Sequence, residues 1–409
     1  MSDLLEISNG KYKILENQIN EGAYSKIYDV INNIDKKNKY IVKVQKISDR
    51  LEAINEIKIL LKLKKNKDLY FTKINEYFKN NSINSNYINS NSINLNYINE
   101  YINTSKIINI EDFYTNREFI FIIFKKYEYT LEDFNIIYNK EIKETLPISL
   151  IKKIINSLFL GIYELNLSNI IHCDIKPNNI MINTTQKNLK EIIKDIKKKK
   201  IDKNDLIKYI DIIYIDFNIS QKCNSICKST TIQTTYYMAP EIILGNTNFN
   251  YTIDFWSIGC IIYELITSKY LFDIFGYNIK NGNNFKNYII ESKRFSQSDD
   301  SNESYDNSYY DTTDNFILLH YYRELFGDNY ILNGNKVDKY YKNNLLLGTI
   351  ENKRFENLIV FENYIKNNII NNNNSNFYNQ IIELFKKIFI YDYNKRLIIE
   401  DFLNQFIFI

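Results

Sequence analysis

Residues 171–180 read IHCDIKPNNI, and no other stretch constrains this 409-residue chain as tightly. Asp174 and Asn179 stand five positions apart, with Lys176 and Pro177 between them. Farther along comes IDFNIS, where Asp216 follows the apolar Ile212, Ile213 and Ile215. The carboxamide of Asn179 and the carboxylate of Asp216 offer the hard oxygen atoms that Mg²⁺ prefers. The second carboxylate, Asp174, can orient a hydroxyl and accept its proton. Lys176 beside it supplies a cation for a phosphate. In this order and spacing, these residue types suit transfer of a phosphoryl group from a metal-bound nucleotide. Such a transfer asks the protein for positioning and charge neutralisation. One short motif can equally be a polar turn between two strands. That alternative shrinks only if ordered companions exist.

The companions exist, in a fixed order. IVKV at 41–44 is an apolar strand carrying Lys43, which means little alone in a chain with 52 Lys and Arg. LEAINEIKILLKLKK follows at 51–65. There Ile54, Ile57, Leu60 and Leu61 fall at helical spacing, which predicts an amphipathic helix. Glu56 on that helix can reach Lys43, with Glu52 as its competitor and a solvated face charge as the plain alternative. MAPE at 238–241, DFWSIG at 254–259 and DYNKR at 392–396 complete the series.

With these motifs the chain resembles eukaryotic-type serine/threonine protein kinases, from about residue 11 to its end. The resemblance implies an α+β, bilobal fold. A small N-lobe antiparallel sheet with one helix (11–127) would precede a larger, mainly helical C-lobe (128–409). It implies ATP and Mg²⁺ as cofactors and a protein as substrate. By the same resemblance Lys43 holds the α- and β-phosphates and is fixed by Glu56. Asn179 and Asp216 bind the metal, Asp174 is the base, and Lys176 meets the γ-phosphate. Ile19, Gly22 and Ile27 lie along the nucleotide. FIFIIF at 119–124 becomes a buried strand ending at the gatekeeper Phe124, and Lys125, Lys126 and Tyr127 become the hinge whose backbone meets adenine. Glu241 pairs with Arg396, and Asp254 braces the catalytic loop. Lys176, two residues after Asp174, is similar to serine/threonine kinases rather than tyrosine kinases. IQTTYYMAPEIILG at 232–245, HCDIKPNN, YLFD at 270–273 and DNFILLHYYRELFG at 314–327 resemble SR-protein kinases, within the wider CMGC group. That likeness implies Arg/Ser-rich substrates.

The departures carry information too. NEGAYSKIY stands where a G-x-G-x-x-G loop is expected, so Asn20 and Ser25 replace the outer glycines and only Gly22 remains. Cys173 occupies the position of the Arg that usually receives a phosphorylated activation loop, and a thiol cannot make that charge-assisted contact. Asn218 replaces the Gly of Asp-Phe-Gly, which limits backbone freedom after Asp216. Met238 replaces an Arg common in CMGC kinases beside the substrate pocket, so the family's substrate preference does not transfer automatically. Cys173, Asn218 and the segment Ile232, Gln233, Thr234 together predict activity that needs no loop phosphorylation. Ser225, Ser229, Thr230 and Thr231 nevertheless offer hydroxyls there. The altered glycines and Asn218 feed the alternative of a pseudokinase scaffold. The retained Lys43, Glu56, Asp174, Asn179 and Asp216 oppose it.

Composition bounds the remainder. The formal net charge is +3, from 52 basic and 49 acidic residues, which gives no electrostatic case for nucleic acid or a membrane. The four cysteines lack zinc-site spacing and read as free thiols. MSDLLEISNG has no basic start or apolar core, and no apolar run approaches the ~18 residues that would span a bilayer. A soluble, cytosolic or nuclear monomer is expected. Three insertions interrupt the domain. The stretch 79–106 carries a rough NYIN/NSIN repeat, 184–208 alternates Lys with Ile and includes KKKK at 197–200, and 275–313 is acidic and Ser-rich near its end. The first and third read as flexible segments, the second as helix-competent with a solvated charge run.

Overall fold

The structure, a computed structural model, describes residues 6–7, 10–21, 25–82, 104–223, 232–272, 308–326, 334–342, 345–346 and 375–405. The chain forms two compact units, Met1–Ser225 with Ile399–Phe408, and Ile226–Ile398.

The first unit begins with an antiparallel sheet. Its strands are β1 (Glu6–Ile7), β2 (Tyr12–Glu21), β3 (Ser25–Asn32), β4 (Tyr40–Lys46), β5 (Ile110–Thr115) and β6 (Phe119–Lys125), in the order β1-β2-β3-β4-β6-β5. Alternation along β4 decides what each face does. Tyr40, Val42 and Val44 join Tyr12, Ile14, Val30, Phe121 and Ile123 in one apolar core. Lys43 and Gln45 point the other way and are buried as well. A helix, α1 (Arg50–Ser82), covers that second face.

Helix α1 differs from its sequence expectation in two respects. It continues well past residue 65, through the start of the stretch read as a flexible insertion; 83–103 lie outside the described residues. Its buried stripe also sits one position away from the expected one. Ala53, Glu56, Ile57, Leu60, Leu63, Tyr70 and Ile74 are buried, whereas Ile54 and Leu61 are exposed. The physical reason is Lys43. Satisfying a buried ammonium turns Glu56 inward, and the helix rotates with it.

Beyond the sheet come α2 (Leu131–Ile142) and α3 (Ile148–Leu167). Thr130 caps α2 in a reciprocal box with Asp133. Helix α3 is apolar nearly all round and is the buried axis of this unit. Phe159 on it stacks at 3.7 Å on Phe402 of the helix Ile399–Gln405. Strand β7 (Ile170–Ile171) leads into the IHCDIKPNNI segment, β8 (Ile180–Thr184) leaves it, and β8 pairs with β9 (Ile210–Tyr214). The 184–208 stretch between them is helical, as α4 (Leu189–Lys197) and a 3-10 turn at Lys203–Lys208. Leu189, Ile192 and Ile193 bury one face of α4, and Lys197 to Lys200 are exposed. Strand β10 (Gln221–Lys222) returns to pair with β7.

The second unit contains α5 (Pro240–Ile243), α6 (Thr252–Thr267), α7 (Ser308–Phe326) and α8 (Ser375–Ile388). Helix α6 is buried along almost its whole length, with Trp256 packed against Phe272, Tyr322 and Phe389. Of the stretch 275–313, residues up to 307 lie outside the described residues, and α7 takes up the rest.

Candidate active site

Lys43 is the electrostatic centre of the first unit. Its Nζ lies 2.9 Å from Glu56 Oε2 and 2.8 Å from Asp216 Oδ1. Glu56, not Glu52, is its partner on α1. Burial alone would push the amine towards neutrality. The carboxylates of Asp216 and Glu56 outweigh that and hold its pKa above the ordinary value. Burial raises the Glu56 carboxyl, with the Asp216 charge adding to it and Lys43 opposing. Asp216 also feels burial, but Lys43 wins and lowers it. A cation shared between two carboxylates is therefore the stable state of this triad.

The IHCDIKPNNI segment is built around His172, which is fully buried. Its Nε2 lies 3.0 Å from the Ile215 carbonyl, and its Nδ1 accepts the Asp174 N–H at 3.3 Å. These partners fix the neutral Nε2–H tautomer. The imidazole so ties Asp174 to the strand end that presents Asp216. Asn179 closes the other side. Its Nδ2 donates at 2.8 Å to both the carbonyl and Oδ2 of Asp174, and its carbonyl accepts the Ile215 N–H at 3.0 Å. Lys176 Nζ stands 2.9 Å from Asp174 Oδ2. Asn179 Oδ1 and Asp216 Oδ2 accept no hydrogen bond from any described residue. Two free hard oxygens, one anionic, fit a Mg²⁺ ion that takes its other ligands from phosphate and water.

The remaining sequence candidates fall as follows. Phe124 is buried at the end of β6. Lys126 differs from expectation: its N–H is committed to the Lys39 carbonyl at 2.8 Å and its ammonium to Asp29 at 2.6 Å. The Tyr127 N–H, in contrast, makes no backbone hydrogen bond with a described residue. Ile19 is exposed on β2, Ile27 half-buried on β3, and Gly22 lies outside the described residues. Cys173 is buried with φ of 70°, and its sulfur accepts from the Gln221 amide at 3.4 Å. Asn218 has no positive φ, so a side chain there costs no backbone strain in this conformation. Ser225, Ser229, Thr230, Thr231 and Cys227 lie outside the described residues.

In the second unit, Arg396 makes a bidentate pair with Glu241, at 2.5 Å and 2.7 Å, and stacks over Trp256 at 4.9 Å. Asp254 is buried in the first turn of α6. Gln233, noted in the sequence only for its likeness, is a clamp. Its amide donates to the Ile253 carbonyl and to Ser257 Oγ, each at 2.9 Å, and accepts the Ala239 N–H at 2.9 Å. Met238 is buried, and its carbonyl accepts from Tyr322 at 2.5 Å. Gln45, Asn55 and Gln221 were not singled out by sequence. Each is a common polar residue whose partner is far away in the chain.

An ammonium shared by two carboxylates, beside a third carboxylate held by an Asn and a Lys, is an arrangement suited to phosphoryl transfer. A profile of the protein kinase domain matches residues 82–408, and the chain belongs to that family. Lys43 and Glu56 precede the matched residues and are joined to them through Asp216. Among similar proteins is a probable cyclin-dependent serine/threonine-protein kinase of Dictyostelium discoideum. It is 26% identical over 263 residues, covering 64% of this chain and 14% of that protein. The serine/threonine-protein kinase AFC1 of Arabidopsis thaliana is 32% identical over 179 residues, 42% of this chain and 36% of that protein. Serine/threonine-protein kinase prpf4B of Dictyostelium discoideum is 28% identical over 168 residues, 41% of this chain and 18% of that protein. The chain thus spans well under half the length of these relatives. The relatives are serine/threonine kinases of CMGC type.

Proposed function

We propose that this chain transfers the γ-phosphate of ATP to serine or threonine hydroxyls of a protein, with Mg²⁺ as the resident metal. One observation carries the proposal: Lys43, Glu56 and Asp216 meet in a single buried ion cluster next to the Asp174–Asn179 pair. A scaffold has no chemical need to maintain that cluster, or to leave Asn179 Oδ1 and Asp216 Oδ2 without donors. The lobe boundary near residue 127 and the three insertions belong to the same proposal, as does a place in the cytosol or nucleus. No helix among the described residues is long and apolar enough to cross a membrane.

In this reading Lys43 binds the α- and β-phosphates, and Glu56 keeps its ammonium from swinging away. Asn179 and Asp216 would hold Mg²⁺, whose bound charge would neutralise phosphate oxygens. Asp174 orients the substrate hydroxyl and takes its proton. Lys176 already touches Asp174 and places a positive charge where the transferred group must pass. Main-chain groups at Tyr127 receive adenine. Glu241, Arg396 and the Gln233 clamp are structural supports for the segment that carries MAPE. The SR-protein kinase likeness makes Arg/Ser-rich proteins the substrate class. A peptide library incubated with radiolabelled ATP and Mg²⁺ tests both levels. Label on Ser/Thr peptides, strongest in Arg/Ser-rich ones, is the expected result. No label on any peptide contradicts the enzyme, and label without that preference contradicts the substrate class alone.

A further inference from the structure

Asn55 has a task that no motif assigns. It stands beside Glu56 on α1, and its Nδ2 donates to two carbonyls of the segment after Asp216. The distances are 3.2 Å to Asn218 and 2.8 Å to Ser220. Glu56 Oε1 lies 3.3 Å from the Phe217 N–H. Two adjacent side chains of one helix therefore hold three backbone groups within Phe217–Ser220. Gln45 on β4 adds a contact from its amide to Asn218 Oδ1 at 3.3 Å. From the opposite side His172 bonds the Ile215 carbonyl, and its own carbonyl accepts from Ser220 Oγ at 2.8 Å. Residues 215–220 are gripped from both flanks.

The grip has a strained residue to hold. Asp216 has φ of 64°, a left-handed conformation uncommon for residues with a Cβ, although Asp tolerates it better than most. Such a conformation persists only where its surroundings over-determine it. Here it turns the carboxylate onto Lys43 and leaves Oδ2 without a donor. The helix that does the holding is itself anchored downstream. Asn66 donates to Ser168 Oγ at 3.2 Å, and the Tyr70 ring packs on Tyr163 at 6.2 Å. Helix α1 and the segment after Asp216 are thus joined by the Glu56 carboxylate and by the neutral amide of Asn55, both residues already present.

We propose that Asn55 is a positioning residue: it latches Phe217–Ser220 to α1, so that Asp216 stays in its metal-binding conformation without a phosphorylated side chain to hold it. This rests on the kinase reading and adds to it the element that keeps the site assembled. Asn218, in the place of a glycine, is part of the latch, since it supplies both a carbonyl to Asn55 and an amide oxygen to Gln45.

Hydrogen–deuterium exchange of the nucleotide-free protein tests the latch directly. Asn55→Leu keeps the branching at Cγ, with a larger side chain, and removes the donor; Asn55→Asp keeps the shape and faces the two carbonyls with acceptors. The amides of Phe217 to Ser220 should exchange at least tenfold faster in Asn55→Leu, and faster still in Asn55→Asp. Those of β8 and β9 should stay within twofold of wild type. The Mg²⁺ concentration giving half-maximal ATP binding should rise severalfold, with KM for a peptide unchanged. Exchange at Phe217–Ser220 within twofold of wild type in both variants would overturn the latch. So would an equal rise across the strands and α1, which would mean a general loss of stability. Peptide turnover by the wild type is read in parallel: its absence contradicts the kinase reading, while the exchange comparison still decides the latch.

Discussion

His172 shows how one side chain couples fold to chemistry. It is buried, its Nε2 serves the Ile215 carbonyl, and its Nδ1 must stay unprotonated to accept the Asp174 N–H. Burial holds its pKa below the ordinary 6.5, against the pull of Asp174. The sign of the linkage follows. As pH falls through 6.5, the unfolded chain takes up a proton that the folded chain refuses, so stability present above that pH is lost below it. We expect the urea midpoint to fall between pH 8 and pH 5.5, and His172→Gln, which offers a donor and an acceptor but does not titrate, to show a flatter profile. Equal pH profiles for the two proteins would contradict this role. At this scale the sequence was informative wherever a residue's task is set by its immediate neighbours. Asp174, Lys176 and Asn179 hydrogen-bond within one turn, so their spacing exposes them. Asn55 and Asn218 are 163 positions apart, and nothing local marks either as a partner.

Among the elements, the meeting of α3 and β9 illustrates how a distant contact sets the site. A Cβ on Gly161 would lie 2.2 Å from the Tyr214 ring, whose hydroxyl donates to the Leu158 carbonyl at 2.8 Å. Tyr214 ends the strand that delivers Asp216, and its backbone pairs with Lys106 and Ile108. Gly161→Ala must push a buried ring aside. It should cost about 1–3 kcal/mol, the usual penalty for overpacking, and should weaken ATP binding by moving β9. Chemical denaturation and a nucleotide titration would check both parts, and an unchanged pair of values would show that the ring can yield. Strands β4 and β6 were legible because apolar runs carry them. Helix α1 was legible in kind but not in length or rotation. Past residue 65 the chain is rich in Lys and Asn, and burial of Tyr70, packed on Tyr163 of α3, and of Ile74 supports the helix there. The rotation follows from the Lys43–Glu56 pair, and apolar periodicity cannot see an ion pair.

Beside the ion pairs of Lys43 and Arg396, neutral hydrogen bonds within each unit also hold the segments around the site. Asn55 and Gln45 act in the first, and Gln233 with Ser257 in the second. Cys173, where a phosphate-binding Arg would stand, accepts from Gln221 instead. Protein treated with a phosphatase should therefore keep its peptide turnover within about twofold, since the loop needs no charge-assisted tie of the kind a phosphate makes. A large loss restored by autophosphorylation at Ser225, Ser229, Thr230 or Thr231 would show that another cation receives the phosphate. The central claim is that Asp174 is the base of a phosphoryl transfer whose nucleotide is held by other residues. Single-turnover transfer of labelled phosphate from ATP to a Ser peptide, measured for wild type and Asp174→Asn, tests it most directly. The account predicts transfer slowed at least ~100-fold in the variant, as loss of a general base requires, with Mg²⁺-dependent ATP affinity nearly unchanged. Transfer at the wild-type rate by Asp174→Asn would contradict it.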